Sequence, residues 1–312
     1  MKNTIAVVGS LNTDMIIKTT KIPRPGETIL GGEFHMAAGG KGANQAVAAA
    51  RAGGDVAFIA RIGNDIFGKK AIEGFIRDRI DVKHVYKDRQ AASGIALIIV
   101  GADGENSIAV ASGANSHLSI DDIRRAERAI SSAKILLMQL ETPLETVRKA
   151  AEIAVRNNVP VILNPAPARL LDNRLLRQIA ILTPNETETE ILTGIKIKKE
   201  SDMAKAAQGL LTKGVRAVFI TLGSKGVFVA LETEKIPRII PAFKVKAVDT
   251  TAAGDVFNGA LAVALAEGRP LLDAARFANA AAALSVTKLG AQPSAPYRKD
   301  INKLLKTKGG SL

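Results

Sequence analysis

TIAVVGS, residues 4–10, is a short apolar, β-rich run that stops at Gly-Ser, the pattern of a strand buried on both faces of a parallel sheet. Runs of the same kind recur at DVAFIARIG (55–63), AKILLMQLE (133–141), VPVILNPAP (159–167), IAILTPN (179–185) and RAVFITLG (216–223). Between most of them lie helical patterns, such as PLETVRKAAEIAVRNN (143–158) and SDMAKAAQGLLTKG (201–214). Strands alternating with helices make βαβ units, so the expected fold class is α/β, a largely parallel sheet covered on both faces.

Two segments break the rhythm. Roughly residues 14–36, and SGIALIIVGADGENSIAVASG (93–113) with its central Asp-Gly turn, read as antiparallel ribbons that no helix covers. Ribbons this small need support, so they are expected to form a lid across the main sheet, completed by a second subunit. Two alanine-rich helical stretches, 252–268 and 271–288, follow near the C-terminus. With no internal repeat or long linker, residues 1–312 read as a single α/β domain with a lid.

Composition narrows the function classes. Hydrophobic residues make up 47 % and charged residues 23 %, values of a folded globular chain. No apolar run reaches the roughly 18 residues that cross a bilayer, and MKNTIAVVGS enters a strand-like segment rather than a signal peptide, which reads as cytoplasmic. The absence of cysteine removes disulfides and thiolate metal sites, and three scattered histidines do not make a metal cage. A net charge of +13 raises nucleic-acid binding. The basic residues alternate with acidic ones, however, as in DDIRRAER (121–128), and 4 % aromatics offer no base-stacking platform. Neither a nucleic acid nor a membrane is therefore an expected partner; a basic surface also attracts a small anion such as a nucleotide.

The strongest chemical signal is DTTAAGDVFNGA (249–260). A strand-like KVKAVD (244–249) runs into a small-residue turn and then an apolar helix, which aims the N–H groups of Ala253, Gly254 and Asp255 at the turn. Small residues let a phosphate approach the backbone, and the helix dipole favours negative charge there. Asp255 then stands where a hydroxyl meets that anion and can accept its proton. A first-turn Asp is also a common response to the macrodipole alone; the small residues around it argue for chemistry. In AAGGKGANQAVAAARAG (37–53), two glycines, Lys41, Gly42 and Asn44 open a second helix, again converging donors at a helix start, without the spacing of a Walker A loop.

GSLNTD, GGKGANQA, LMQLETP, LNPAPA, TPNETE, ITLGSKG, VDTTAAGDVFNGA and KLGAQPS, in this order from end to end, resemble the ribokinase-like branch of the PfkB-type carbohydrate kinases. The resemblance implies a three-layer α/β/α fold with a small β-sheet lid that also builds a homodimer, and transfer of a phosphoryl group from ATP to a sugar. It implies Asp255 as general base, with Gly254 and Ala253 in the anion hole. Asn12, Asp14, Gly40, Lys41, Asn44 and Glu141 would hold the sugar; an amide and a carboxylate suit vicinal hydroxyls. Asn185 and Glu188 would meet the ATP phosphates and Mg²⁺, the latter through water, although the same two residues fit a helix-capping segment. Thr221, Gly223, Ser224, Lys225 and Gly226 would border the nucleotide, and Asn279 would lie near its adenine. A monovalent cation, normally K⁺, would sit among Asp249, Thr251, Ser285, Lys288, Gly290 and Ser294, mostly on backbone oxygens. Ribose is the expected sugar because Asn12 stands where relatives preferring deoxyribose tend to carry an apolar residue. Deoxyribose, a ketose or a nucleoside is the alternative within the class. A regulator without catalysis would not need Asp255, Glu188 and the anion-hole glycine together.

Overall fold

In the computed structural model residues 4–234 and 236–307 are described. The strands, in chain order, are β1 Thr4–Val8, β2 Asn12–Lys18, β3 Glu33–Gly39, β4 Asp55–Gly63, β5 Asp81–Asp88, β6 Gly94–Val100 and β7 Asn106–Ala111. They continue with β8 Ile135–Met138, β9 Val161–Leu163, β10 Ile181–Leu182, β11 Ala217–Thr221, β12 Val227–Leu231 and β13 Arg238–Ile240. Nine of them form one sheet in the order β13-β12-β11-β10-β9-β8-β1-β4-β5. The pairs from β11 to β5 are parallel, while β12 and β13 add an antiparallel edge.

The apolar run at the N-terminus behaves as its composition demands. Ile5 and Val7 face one helical layer and Ala6 and Val8 the other, and all four are fully buried. The two-residue period of a strand thereby feeds two separate cores. One core takes in the helices Lys41–Arg51, Ala253–Ala266 and Leu271–Ser285; the other takes in Leu144–Arg156 and Glu200–Thr212.

Two close approaches set the site. A Cβ on Gly42 would fall 2.6 Å from the Gly9 Cα, so only glycines let the start of the 41–51 helix rest on the end of β1. A Cβ on Gly259 would meet the Gln45 carbonyl at 2.6 Å and the Ala49 nitrogen at 2.8 Å. The 41–51 and 253–266 helices therefore touch backbone to backbone, which brings Asn44 and Gln45 against Asp255.

The remaining four strands form a second sheet, in the order β3-β2-β6-β7. β2 and β6 pair in parallel, and each carries an antiparallel partner, β3 and β7, so both expected ribbons are present and joined. β2 begins at Asn12, slightly before the expected boundary, and runs directly out of the main sheet after β1.

Three strand readings need correction. KVKAVD is not a strand: the chain leaves the sheet at Ile240, no neighbour offers a ladder, and the Val248 N–H instead donates to the Val286 carbonyl at 2.7 Å. IAILTPN contributes only Ile181–Leu182, because its Thr-Pro-Asn end turns into a helix cap. DVKHVYKD (81–88) forms β5, a partly buried edge strand whose alternating charges hid it among polar sequence.

Candidate active site

The C-terminal ends of β1, β8, β9 and β10 deliver Ser10, Glu141, Asn164 and Thr183 to one edge of the sheet, where open α/β sheets bind ligands. Two helix starts arrive at the same edge. Gly40, at φ 87°, precedes the 41–51 helix, and Ala252, at φ 59°, precedes the 253–266 helix. A left-handed alanine costs about 1–2 kcal/mol, strain concentrated at the turn that shapes this helix start.

Asp255 is buried, only 6 % exposed, in the first turn of its helix. Asn44 Nδ2 donates to its Oδ2 and Gln45 Nε2 to its Oδ1, each at 2.9 Å. Burial raises its pKa; Lys41 and the two amide donors work against that rise, and Glu141 adds to it. A carboxylate whose pKa is raised is a stronger base than a solvated one.

The turn before Asp255 differs in one respect from the sequence reading. The Ala253 N–H donates to the Thr250 carbonyl at 3.2 Å, and helical pairing resumes with Val256 N–H to the Ala252 carbonyl at 2.9 Å. Among the described residues the N–H groups of Gly254 and Asp255 remain without a backbone partner, so two N–H groups rather than the expected three are free at this helix start. Gly254 is exposed, with open space where a side chain would stand.

Asp14, Lys41, Asn44 and Glu141 act on this carboxylate through charge or a hydrogen bond, and Asn12 lines a cavity with Glu141. Asn12 Oδ1 accepts from Asn115 Nδ2 at 2.8 Å, which leaves its own NH₂ as a donor. Asp14 lies against Gly39, whose absent side chain makes room for it. Burial, then Glu141 and Asp255, raise the Asp14 pKa from 3.8 to about 6. Burial lowers the Lys41 pKa, but Asp255, Glu141 and Glu188 outweigh it and the net shift is upward. One cation thus serves several crowded carboxylates.

Glu141 also has a structural task. Its Oε2 accepts from the Lys41 backbone N–H at 3.0 Å and from the Ser10 hydroxyl, capping the 41–51 helix. Ser10, Asn115 and Gln45 were not among the sequence-derived site residues. Ser10 lies inside GSLNTD and Gln45 one position after Asn44, so the motifs contained them. Asn115 lies in a 3₁₀ turn, Gly113–His117, outside every motif.

Asn185 and Glu188 form the capping box that their spacing also allowed. Asn185 Oδ1 accepts from the Glu188 N–H at 2.7 Å, and Glu188 Oε2 from the Asn185 N–H at 2.8 Å. Burial raises the Glu188 pKa, Asn185 and Lys41 oppose the rise, and Asp255 adds to it. Beside the start of the 253–266 helix opens a cleft of about 490 Å³, lined by Thr221, Gly223, Ser224, Gly226, Gly254 and Asn279 with the apolar Phe243, Val245 and Phe257. Lys225 does not line it: the residue is exposed on the short 3₁₀ turn Gly223–Lys225. Asn279 borders the cleft with its NH₂ committed to the Ile240 and Pro241 carbonyls, at 3.0 and 3.2 Å.

Asp249 bridges two segments. Its Oδ1 accepts from the Thr251 N–H and its Oδ2 from the Gly290 N–H, both at 2.8 Å. Burial would raise its pKa, but these bonds hold it below the usual carboxylate value. The hydroxyls of Ser285 and Ser294 donate to the Ala282 and Ala291 carbonyls, and the Lys288 N–H to the Ser285 carbonyl.

A buried carboxylate beside free helix N–H groups, with polar side chains on one flank and a cleft on the other, suits phosphoryl transfer. The chain belongs to the pfkB family of carbohydrate kinases, whose model matches residues 2–298. It is 51 % identical over 300 residues to the ribokinase of Haemophilus influenzae, covering 96 % of this chain and 97 % of that one. Over 302 residues it is 39 % identical to a deoxyribokinase of Salmonella typhi, covering 96 % of this chain and 98 % of that one. Among solved structures, Arabidopsis thaliana ribokinase complexed with ribose and ATP is similar with a TM-score of 0.92 at 36 % identity, over 98 % of this chain and 99 % of that chain.

Proposed function

We propose that this enzyme transfers the γ-phosphoryl group of ATP to the 5-hydroxyl of D-ribose, giving ribose 5-phosphate and ADP. The observation that carries the reading is Asp255, buried and held by two amides at a helix N-terminus between the polar cluster and the cleft. Ribose would lie among Asn12, Asp14, Gly40, Lys41, Asn44 and Glu141. ATP would extend from the anion hole along Gly223, Ser224 and Gly226, with the adenine toward Asn279. Asp255 takes the proton of the 5-hydroxyl as its oxygen forms the bond to the γ-phosphorus, and the bond to the β-phosphate oxygen breaks, releasing ADP with the electron pair. The Gly254 and Asp255 N–H groups and Lys41 face the charge that accumulates on the transferred oxygens.

Mg²⁺, bound with ATP, supplies charge neutralisation on the phosphates. Among the described residues no three acidic, histidine or cysteine side chains could hold a metal, which fits an ion carried by phosphates and its own waters. Glu188 and Asn185 are the side chains that would meet that water shell. Asp249, joined to the Thr251 and Gly290 N–H groups, would with backbone carbonyls of Thr251, Ser285, Lys288, Gly290 and Ser294 hold a monovalent cation such as K⁺, which would order the turn ahead of Ala252.

Asn12 supports ribose over 2-deoxyribose, because a buried amide left unpaired penalises a sugar lacking the hydroxyl it binds. ADP formation measured across ribose, 2-deoxyribose, fructose and adenosine, with and without K⁺, tests this assignment. Ribose should give the highest kcat/KM, and K⁺ should raise it. A preference for any of the other three overturns the choice of sugar.

The second sheet would act as the lid over the sugar and as a dimer surface. On its face opposite Asp14, Ile17, Phe34, Met36 and Leu97 are 42–58 % exposed, an apolar patch that a second copy would cover. Sedimentation of Leu97→Lys checks this: the wild-type chain should run as a dimer at micromolar concentration and the variant as a monomer. A wild-type monomer under those conditions removes the proposal. No helix of the described residues is long and apolar enough to cross a membrane, and the demand for ATP suits a cytoplasmic location.

A further inference from the structure

Behind Asp255 lies a run of buried amides that substrate binding does not account for. Gln45 is fully buried, Gln139 is 1 % exposed and Asn164 8 %. Gln45 Nε2 donates to Asp255 Oδ1 at 2.9 Å and to Asn164 Oδ1 at 3.1 Å, while its Oε1 accepts from Gln139 Nε2 at 2.6 Å. Asn164 Nδ2 donates to the Thr183 carbonyl at 3.1 Å. The Thr183 hydroxyl donates to Asn258 Oδ1 at 2.6 Å, and Asn258 Nδ2 to the Gly254 carbonyl at 2.8 Å.

The direction of every bond follows from the carboxylate. An ionised carboxylate only accepts, so the Gln45 NH₂ must face it and the Gln45 carbonyl must turn away. That carbonyl needs a donor, which Gln139 supplies. The second Gln45 N–H needs an acceptor, so Asn164 presents its oxygen and turns its NH₂ toward Thr183. The anchors follow the ends of β8, β9 and β10, neighbouring strands in the middle of the sheet. They also belong to LMQLETP, LNPAPA and TPNETE, motif residues to which the reaction itself gave no role.

The two carboxylate oxygens differ accordingly. Oδ1 faces this group, in which every Gln45 and Asn164 polar atom is paired. Oδ2 takes only Asn44 Nδ2, and Asn44 Oδ1 is a buried oxygen with no partner, an acceptor that a sugar hydroxyl would satisfy. We infer that Gln45, oriented by Gln139 and Asn164, is a positioning residue that fixes Asp255 through Oδ1 and reserves Oδ2 for the hydroxyl proton. The continuation through Thr183 and Asn258 ties the Gly254 peptide to the same strands, so base and anion hole are set as one unit. This inference rests on Asp255 being the base.

Gln45→Met keeps the side-chain length and removes the donor. kcat should fall about 10- to 100-fold, the loss of one hydrogen bond to a charged group, with the KM for ATP within about twofold. The groups facing Asp255 in the variant are Lys41 and Asn44 from its neighbouring helix, Glu141 beyond β8, Asp14 on β2 and Glu188. With Gln45 no longer stabilising the anion, the carboxylate holds its proton more tightly, so the acid limb of the kcat profile should move upward by about one pH unit. Gln139→Met leaves every contact to Asp255 in place but frees the Gln45 amide to rotate, and should move the same limb the same way by less. It also deletes Gln139 Oε1, which is buried without a partner, so this variant should fold and carries the test alone if Gln45→Met does not. Reduced kcat with an unmoved acid limb in the folded variants means a merely structural role and overturns the inference, as does unchanged kcat. If Asp255→Asn itself retains turnover, the base assignment fails instead.

Discussion

Asp255→Asn is expected to lower kcat by about 10²- to 10⁴-fold, the range attributed to a positioned general base, while ATP binds within about threefold of its normal affinity. The substitution is nearly isosteric and keeps an acceptor oxygen for one of the two amides, Asn44 or Gln45, so the fold should persist. Lost is the capacity to take a proton. The free N–H groups of the helix start and the cleft beyond them do not involve the Asp255 side chain, which is why nucleotide affinity should survive. Isothermal titration with ATP beside steady-state turnover separates the two effects. Near-normal turnover in the variant would mean that another group accepts the proton.

Asp14→Asn should separate binding from stability. Its carboxylate pKa is raised from 3.8 to about 6, chiefly by burial and then by Glu141 and Asp255. A pKa that is higher in the folded state contributes stability below the unfolded value of 3.8, and this contribution is lost as pH rises through about 6. At pH 8 the ligand-free protein therefore holds an ionised Asp14 at a cost, and the variant should melt about 2–5 °C higher. Below about pH 4, where wild-type Asp14 is protonated, the difference should vanish. The KM for the sugar should rise about 10- to 100-fold, since hydrogen bonds to a charged acceptor are the strong ones. Thermal melts across pH with sugar kinetics at pH 8 check both halves; a variant less stable at pH 8 than at pH 4 relative to wild type would contradict the sign.

The parts of the fold legible in the sequence were those where one residue class does one job. β1 and β11 are buried on both faces and read as unbroken apolar runs; the Ala253–Ala266 helix starts at a small-residue turn that few other structures require. β5 and the KVKAVD segment were misread for opposite reasons. β5 is an edge strand with charged side chains, recognisable only through its neighbour β4. KVKAVD has strand-like residues but no strand beside it, and pairing is a property of two segments, not one.

The site divides in the same way. Residues within helix starts and strand ends, such as Asn12, Lys41, Asn44 and Asp255, could be proposed from sequence because their motifs fix them locally. Gln45 was missed because a glutamine among alanines gives no sign of burial, and its significance depends on Gln139 and Asn164, 94 and 119 residues away. The engagement of the Ala253 N–H by Thr250 was equally invisible, since it depends on the left-handed φ of Ala252, a non-glycine residue. Glu141 and the Asn185–Glu188 pair hold helix starts through capping bonds, whatever further role they have toward a ligand. Such residues have a structural reading that sequence cannot separate from the chemical one.

The position of the transferred phosphoryl group tests the central claim most directly. ³¹P NMR of the product made from ribose and ATP should give one sugar phosphomonoester, formed in step with ADP, whose phosphorus couples to the pair of methylene protons on C5. A phosphorus coupled to the single anomeric proton, or ADP released without any sugar phosphate, would contradict a base at Asp255 serving the 5-hydroxyl.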